Sequence, residues 1–282
     1  MDCRITLSSL RRAWLRITAA DTSRVDLRLS AGGFLVGVLV GMSGVGGSSL
    51  LAPLLILLFG FKALTTVGTD LMYSVPTKLL AAYLHGKSRT IDRTIVTVLL
   101  LGGIPGALLG LFALVQLQAH IPPQALNAVL RRAIGIAILL ACAGSAILYL
   151  VRGRARAETT SGPPSTAVRW QLGAIGLVVG FMVSMTSVGS GSVTLPLLIL
   201  VLPGIALRRL IGSEIAFAAL LIPISAAGHA TLGDVNWPAC LALLVGSLPG
   251  VALGTRLCVL VDERWLQPAI VVVLAFAASR LI

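Results

Sequence analysis

The sequence predicts an all-α integral membrane protein with about eight transmembrane helices, arranged as two homologous repeats of four segments. Composition is the first observation behind this. Of 282 residues, 57% are hydrophobic and only 11% are charged, whereas a soluble domain carries about 25% charged residues. A spanning helix needs roughly 20 apolar residues. Apolar runs of that order, which we number as segments 1 to 8, lie at 32–60, 64–86, 94–116, 125–150, 170–203, 207–230, 237–260 and 266–282.

An internal repeat is the second observation. The stretch from Gly33 to Pro53 aligns with the stretch from Gly176 to Pro196, and a second block follows after one inserted residue. Chance matches among apolar residues would not keep glycine, proline, histidine and acidic positions in step. Internal duplication of a helical unit is typical of secondary transporters, whose sites lie at the repeat interface near mid-membrane. The second block pairs Gly68-Thr69-Asp70 with Gly212-Ser213-Glu214, and His85 with His229.

The chain divides into four parts by composition. We expect a basic cytoplasmic tail over 1–31, a first membrane repeat over 32–150, a linker over 151–169 and a second membrane repeat over 170–282. The net charge is +12, and the arginines of the tail favour contact with anionic lipid headgroups. A nucleic-acid partner is not expected, because the basic residues belong to no folded module with interleaved aromatic side chains.

Nothing in the sequence indicates an enzyme. The four cysteines, at positions 3, 142, 240 and 258, have neither metal-ligand nor redox spacing. The sequence shows no nucleophile and base that would converge in an active site, and it contains no phosphate-binding loop. We therefore expect no catalytic activity, no cofactor and no metal, and we interpret Cys142 and Cys240 as packing residues.

Glycine and serine cluster in the middle of segments 1 and 5. As one straight helix, segment 1 would be about 43 Å long, against a hydrocarbon core of ~30 Å. Glycine and serine weaken a helix, so each segment is expected to be broken or re-entrant. A break would leave backbone N–H groups at a new helix start, where they favour an anion. The alternative that these residues only allow tight helix packing stays open. The substrate-binding candidates are Ser43, Gly44, Gly46, Gly47, Ser48 and Ser49, and in the second copy Thr186, Ser187, Gly189, Ser190, Gly191 and Ser192.

Ionisable residues inside segments 2 and 6 complete the candidate site. Charges at bilayer depth are costly and usually face the bundle interior or a water-filled cavity. Lys78 is a candidate for substrate contact or, alternatively, for pairing with Asp70. Asp70, Glu214, His85 and His229 are candidates for proton coupling. The alternatives are an acid that complements a helix dipole and a histidine that caps a helix end.

These motifs resemble one protein family. The pattern Gly-x-Gly-Gly-Ser, Pro53, Gly68-Thr69 and a glycine series at 102, 106 and 110, repeated in the second half, is similar to the sulfite exporter (TauE/SafE) family, also called the 4-toluene sulfonate uptake permease family. The likeness covers nearly all of 32–282. It implies a multi-pass carrier of the bacterial inner membrane that moves sulfite or organosulfonate-type anions by secondary transport.

The sequence leaves alternatives open for both the function and the membrane topology. An anion channel, a carrier of other organic acids and a membrane-embedded enzyme or assembly factor are the other functional classes. If segments 1 and 5 cross the membrane, the two halves run parallel, and the distribution of lysine and arginine favours this arrangement. If they are re-entrant, the halves are inverted, which transporter precedent favours.

Overall fold

The structure, a computed structural model, describes residues 27–43, 48–152, 165–257 and 263–282. These residues form α-helices joined by short turns, without a β-strand among them. In chain order the helices are α1 (Leu27–Ser43), α2 (Ser48–Leu57), α3 (Ala63–Lys87), α4 (Arg93–His120), α5 (Pro123–Arg152), α6 (Thr166–Thr186), α7 (Thr194–Val201), α8 (Leu207–Leu232), α9 (Trp237–Leu257) and α10 (Glu263–Leu281).

The helices have the length and surface of a protein embedded in lipid. Within the described ranges, α4, α5, α6, α8 and α9 each contain a stretch long and apolar enough to cross a membrane. Large apolar side chains point outward from them, among them Leu101 and Phe112 of α4. The helix α3 is as long as these at 25 residues, but it carries three charged side chains. The chain is a multi-pass membrane protein.

Segments 1 and 5 are each two helices rather than one. The helix α1 ends at Ser43 and α2 begins at Ser48, with residues 44–47 outside the described part. In segment 5, α6 ends at Thr186 and α7 begins at Thr194. The start of α1 lies beside the residues that follow α2, because a Cβ added at Gly32 would meet the Phe59 ring at 2.9 Å. Thus α2 turns back along α1 instead of continuing in its direction.

Glycines bring two pairs of helices into close parallel contact. Along α4, Gly102, Gly106 and Gly110 face the backbone of Gly173, Leu177 and Phe181 of α6 in turn. The residue numbers rise together, so the two helices run parallel. The glycine series of α9 faces α1 in the same way, at Ser30, Phe34 and Val38. A side chain at these positions would collide with backbone, so the small residues permit the approach.

Two other pairs run antiparallel. At the start of α3, Gly68 faces Asp234 after the end of α8, and Gly212 near the start of α8 faces Thr90 after the end of α3. Likewise Arg131 of α5 donates to the Arg280 carbonyl of α10 at 2.8 Å. The Cys142 thiol, farther along α5, lies 3.8 Å from the Val271 carbonyl, farther back along α10.

These directions contradict the arrangement that the distribution of basic residues favours. If segments 1 and 5 both crossed the membrane, α3 and α8 would run in the same direction, as would α5 and α10. Both pairs run in opposite directions, and α2 turns back on α1. The positive-inside rule relates loop charge to orientation, whereas the helix directions in the structure follow from which helix ends touch.

Corresponding hydrogen bonds join the halves at two helix starts. The Asp92 N–H, at the N-cap of α4, donates to Ser213 Oγ of α8 at 2.8 Å. The Asn236 N–H, at the start of α9, donates to Thr69 Oγ1 of α3 at 3.0 Å. The side chains of Asp92 and Asn236 accept from the first N–H groups of their own helices. We call these two bonds the helix-start clamps; they hold α4 against α8 and α9 against α3.

Candidate functional site

The turn between α6 and α7, residues 187–193, forms the centre of the candidate site, and we call it the tip. Its backbone is unusual, because Ser187, Gly189 and Gly191 have φ values of +59°, +125° and +129°. Left-handed φ is uncommon for a residue with a side chain; Ser187 adopts it as the residue that ends α6, a place where such a conformation is common.

The tip satisfies the start of α7 with its own carbonyls. The Gly189 carbonyl accepts from the N–H groups of Gly191 and Thr194 at 2.9 and 3.2 Å and from Thr194 Oγ1 at 2.9 Å. The Leu195 N–H bonds to the Gly191 carbonyl. The expectation of free N–H groups at this helix start is therefore wrong for Thr194 and Leu195, because the left-handed turn directs carbonyls back towards them. These two N–H groups are therefore not available to a ligand.

Asp70 of α3 is tied to the tip. Ser187 Oγ donates to Asp70 Oδ2 at 2.6 Å, and the two residues are 1% and 0% exposed. The second carboxylate oxygen, Oδ1, is buried without a hydrogen-bond partner. A buried carboxylate oxygen without a hydrogen-bond donor costs free energy. A ligand that donates to Asp70 Oδ1, or a proton bound there, would remove this cost.

Lys78 lies on the other side of the tip. Its Nζ donates to the Ser190 carbonyl at 3.3 Å and lies 3.5 Å from Glu214 Oε1 of α8. The predicted alternative of a Lys78–Asp70 pair is wrong, since the ion pair is with Glu214. Helix spacing suggested Asp70, but α8 packs antiparallel to α3 and brings Glu214 to the lysine. Glu214 Oε1 is close enough for an ion pair yet makes no hydrogen bond.

Three buried oxygens at the tip therefore lack hydrogen-bond partners: Asp70 Oδ1, Ser190 Oγ and Glu214 Oε1. The space between Glu214 and Lys78 borders Gly191, where an added Cβ would lie 3.5 Å from Glu214 Oε1 and 3.8 Å from Lys78 Nζ. Of the described residues, Lys78 and Ser190 can donate hydrogen bonds to an anion here, and the carboxylates of Asp70 and Glu214 can accept a proton.

The other glycine, serine and threonine candidates are either buried or outside the described residues. Thr186 and Ser192 are buried, and Thr186 Oγ1 bonds to Met182 and Val188 of its own segment. In the first copy only Ser49 is described with its side chain, and it is fully buried. Gly44, Gly46 and Gly47 lie outside the described residues, and the side chains of Ser43 and Ser48 do as well.

The two histidines are at opposite ends of the antiparallel pair α3 and α8. His85 Nδ1 shares a hydrogen bond of 2.8 Å with Thr90 Oγ1, beyond the end of α3. His229 is fully buried, and its Nε2 lies 2.9 Å from the Ser184 carbonyl of α6. Since a carbonyl only accepts, Nε2 carries a hydrogen and donates. The environment of His85 is that of a helix-end residue.

A polar network around His229 was missed by sequence reasoning. His229 Nδ1 faces Asp234 Oδ2 at 3.7 Å without a hydrogen bond, and Gln118 of α4 donates to the same oxygen at 3.1 Å. Ser184 and Ser225 share a buried hydrogen bond of 2.7 Å. The signal was present in the repeat, because Asp234 follows His229 by five residues, as Thr90 follows His85.

The described residues contain no group of three histidine, cysteine or acidic side chains that could hold a metal ion. Cys142 and Cys240 are buried free thiols, as expected of packing residues. What the site offers is thus a lysine, serine hydroxyls and two carboxylates around an irregular turn.

Comparison with known proteins identifies the family. The family model described as sulfite exporter TauE/SafE matches residues 29–281. Two curated relatives come from Bacillus subtilis strain 168. The probable membrane transporter protein YjnA is 33% identical over 89% of this chain and 97% of its own length; YdhB, named likewise, is 27% identical over 88% and 97%. Among solved structures none matches significantly. These names indicate a membrane transporter rather than an enzyme, and the chain belongs to the sulfite exporter TauE/SafE family.

Proposed function

We propose that the chain is a secondary carrier of small anions of the sulfite or organosulfonate type in the bacterial inner membrane. The observation that carries the proposal is the tip, an irregular buried turn that brings Lys78 to Ser190. Irregular backbone at membrane depth is tolerated where it is buried or lines a cavity, and broken helices commonly form transporter sites. Family membership supports the choice of anion.

The architecture we propose for this carrier is two four-segment repeats of inverted orientation. It is supported by the antiparallel pairs α3 with α8 and α5 with α10, and by the corresponding helix-start clamps at Ser213 and Thr69. In this arrangement segments 1 and 5 enter from opposite sides as re-entrant hairpins. Rocking of one repeat against the other would then expose a central site to each side alternately.

In this carrier the anion binds beside the tip. Lys78 Nζ supplies the positive charge and Ser190 Oγ supplies a hydroxyl donor that has no partner in the structure. Lys78 can turn from the Ser190 carbonyl, a contact of 3.3 Å, towards an anion. The first-copy residues Ser43–Ser49 are the corresponding expectation on the other repeat. Asp70, Glu214, His85 and His229 remain candidates for coupling.

The test is uptake of radiolabelled sulfite, sulfoacetate, taurine and sulfate into proteoliposomes. Wild type is compared with Lys78→Gln and Ser190→Ala. Matched controls are Lys87→Gln and Ser279→Ala, which change an exposed lysine beside Tyr83 and an exposed serine bonded to its own helix.

We expect saturable uptake and exchange of at least one sulfur anion, lost in the site variants and kept in the controls. Flux that neither saturates nor exchanges would point to a channel. If correctly inserted wild type moves none of these anions, the sulfur assignment fails and other organic acids are tried next.

A further inference from the structure

The charges around the tip present a difficulty for an anion carrier. Within the described residues, Asp70 and Glu214 bring two negative charges to the tip and Lys78 brings one positive charge. If all three are ionised, the site is negative before the anion arrives. Charges are expensive inside a membrane protein unless they are compensated, so anion binding requires a further positive charge.

Glu214 is already compensated. Its carboxylate lies 3.5 Å from Lys78 Nζ, and the pair is formed by α3 and α8, which pack along one another. Asp70 is not compensated in this way. Among the ion pairs of the described residues none includes Asp70, although its side chain is fully buried. The excess negative charge of the site therefore lies on Asp70.

The surroundings of Asp70 suit a proton better than a metal cation. Oδ2 already accepts from Ser187, while Oδ1 has no partner. A proton needs only that one oxygen, whereas a hard cation such as Na⁺ or Ca²⁺ needs several oxygen ligands. The titratable side chains near enough to interact electrostatically with the carboxylate are Tyr73 on its own helix and Cys240 on α9. Beyond the tip lies the Lys78–Glu214 pair.

We propose that Asp70 binds a proton that is carried together with the anion, which makes the chain a proton–anion symporter. This inference rests on the carrier function proposed above and names its coupling ion. The anion group at Ser190 and Lys78 and the proton group at Asp70 contact the same seven-residue tip. Both ligands are therefore held at once and move together. The proton enters from the side to which the site is open, binds Asp70 Oδ1, and leaves on the opposite side.

The experiment separates driven uptake from exchange in proteoliposomes, with sulfite and sulfoacetate as probes. Sulfoacetate is included because its charge does not change near neutral pH. Uptake is measured with an acidic exterior, with equal pH on both sides, and with a sodium gradient at equal pH. Exchange of labelled for unlabelled probe is measured without any gradient. The quantity compared is the ratio of pH-driven uptake to exchange.

In wild type the pH gradient should raise this ratio and the sodium gradient should not. In Asp70→Asn we expect weaker but measurable exchange, with the ratio reduced to its value without a gradient. Asp70→Glu should recover part of the increase in this ratio that the pH gradient produces. Asp234→Asn and His229→Gln, which change a partly buried acid and the fully buried histidine beside it, should keep the wild-type ratio.

Two results would overturn the inference: a wild-type ratio in Asp70→Asn, or accumulation driven by sodium rather than by pH. If Asp70→Asn keeps the ratio while Asp234→Asn or His229→Gln loses it, the proton is placed at that pair instead. Absence of both exchange and uptake in wild type is a different failure, because it removes the carrier function itself.

Discussion

Ser187 donates a hydrogen bond of 2.6 Å to Asp70, and this bond joins the turn of one broken segment to a helix from the other half of the chain. Both residues are buried, and the second oxygen of Asp70 is left without a partner. A buried polar group without a partner is rare in a native protein and asks for an explanation. Here the explanation we propose is a ligand or a proton that the described residues do not supply.

The ion pair between Lys78 and Glu214 can be tested by removing one partner or both. We expect Lys78→Met to destabilise the protein by about 3–5 kcal/mol, because it leaves the Glu214 carboxylate buried and unpaired. The double variant Lys78→Met with Glu214→Gln should regain most of this loss. The measurement is unfolding in detergent. As a control, Lys87→Met should change the stability by less than about 1 kcal/mol; additive effects of the two site substitutions would contradict the pairing.

The close contact of α4 with α6 depends on Gly106. A methyl group there would overlap the Leu177 backbone, so Gly106→Ala should destabilise by about 1–3 kcal/mol through overpacking. Gly173 of α6 is a control of opposite sign. An added Cβ there meets nothing within 4 Å, and Gly173→Ala should stabilise the helix by up to about 1 kcal/mol. Thermal unfolding of both variants checks the pair, and equal effects would contradict the packing described.

The helix-start clamp at Ser213 is expected to contribute measurably to stability. Ser213→Ala leaves the Asp92 N–H without its acceptor, which should cost about 1–3 kcal/mol. Thr69→Val should cost a similar amount at Asn236, where the corresponding bond is lost. Ser279→Ala is the matched control and should stay within about 0.5 kcal/mol. Clamp variants as stable as the control would show that these bonds do not hold the helices together.

Alanine substitutions at Gly191 and Gly233 distinguish the effect of backbone strain from the effect of a methyl group that blocks the site. Both have left-handed φ, +129° and +78°, so alanine at either position is strained. Only at Gly191 does the new methyl face Glu214 and Lys78, whereas at Gly233 it meets open space. We expect Gly191→Ala to reduce anion exchange strongly and Gly233→Ala to leave it near wild type when both are scaled to inserted protein. Equal losses in the two would mean that strain alone is responsible.

Much of the fold was predictable because apolar length and glycine content are local properties. The breaks in segments 1 and 5 coincide with the predicted glycine and serine clusters, and the acidic residues that follow Gly68-Thr69 and Gly212-Ser213 are buried, as expected. The direction of the helices was not predictable in the same way. Length and composition do not distinguish a segment that crosses from one that turns back.

The details of the candidate site depend on packing between distant residues. Glu214 pairs with Lys78 although 136 positions separate them, because α3 and α8 lie antiparallel. The start of α7 bonds to carbonyls of the tip, which requires the left-handed turn at Gly189 and Gly191. Neither relationship follows from helix periodicity within one segment. The repeat did contain the hint that Asp234 corresponds to Thr90 and would lie beside a histidine.

The inverted arrangement that we propose for the two halves brings the tip to α3 and α8. Single cysteines at exposed positions in a cysteine-free background test it through labelling by an impermeant thiol reagent in oriented vesicles. We expect Arg89→Cys and Ala206→Cys to be labelled from one side, and Lys62→Cys and Thr231→Cys from the other. Labelling of Lys62→Cys from the same side as Ala206→Cys, with Arg89→Cys and Thr231→Cys on the opposite side, would show parallel halves and contradict the account.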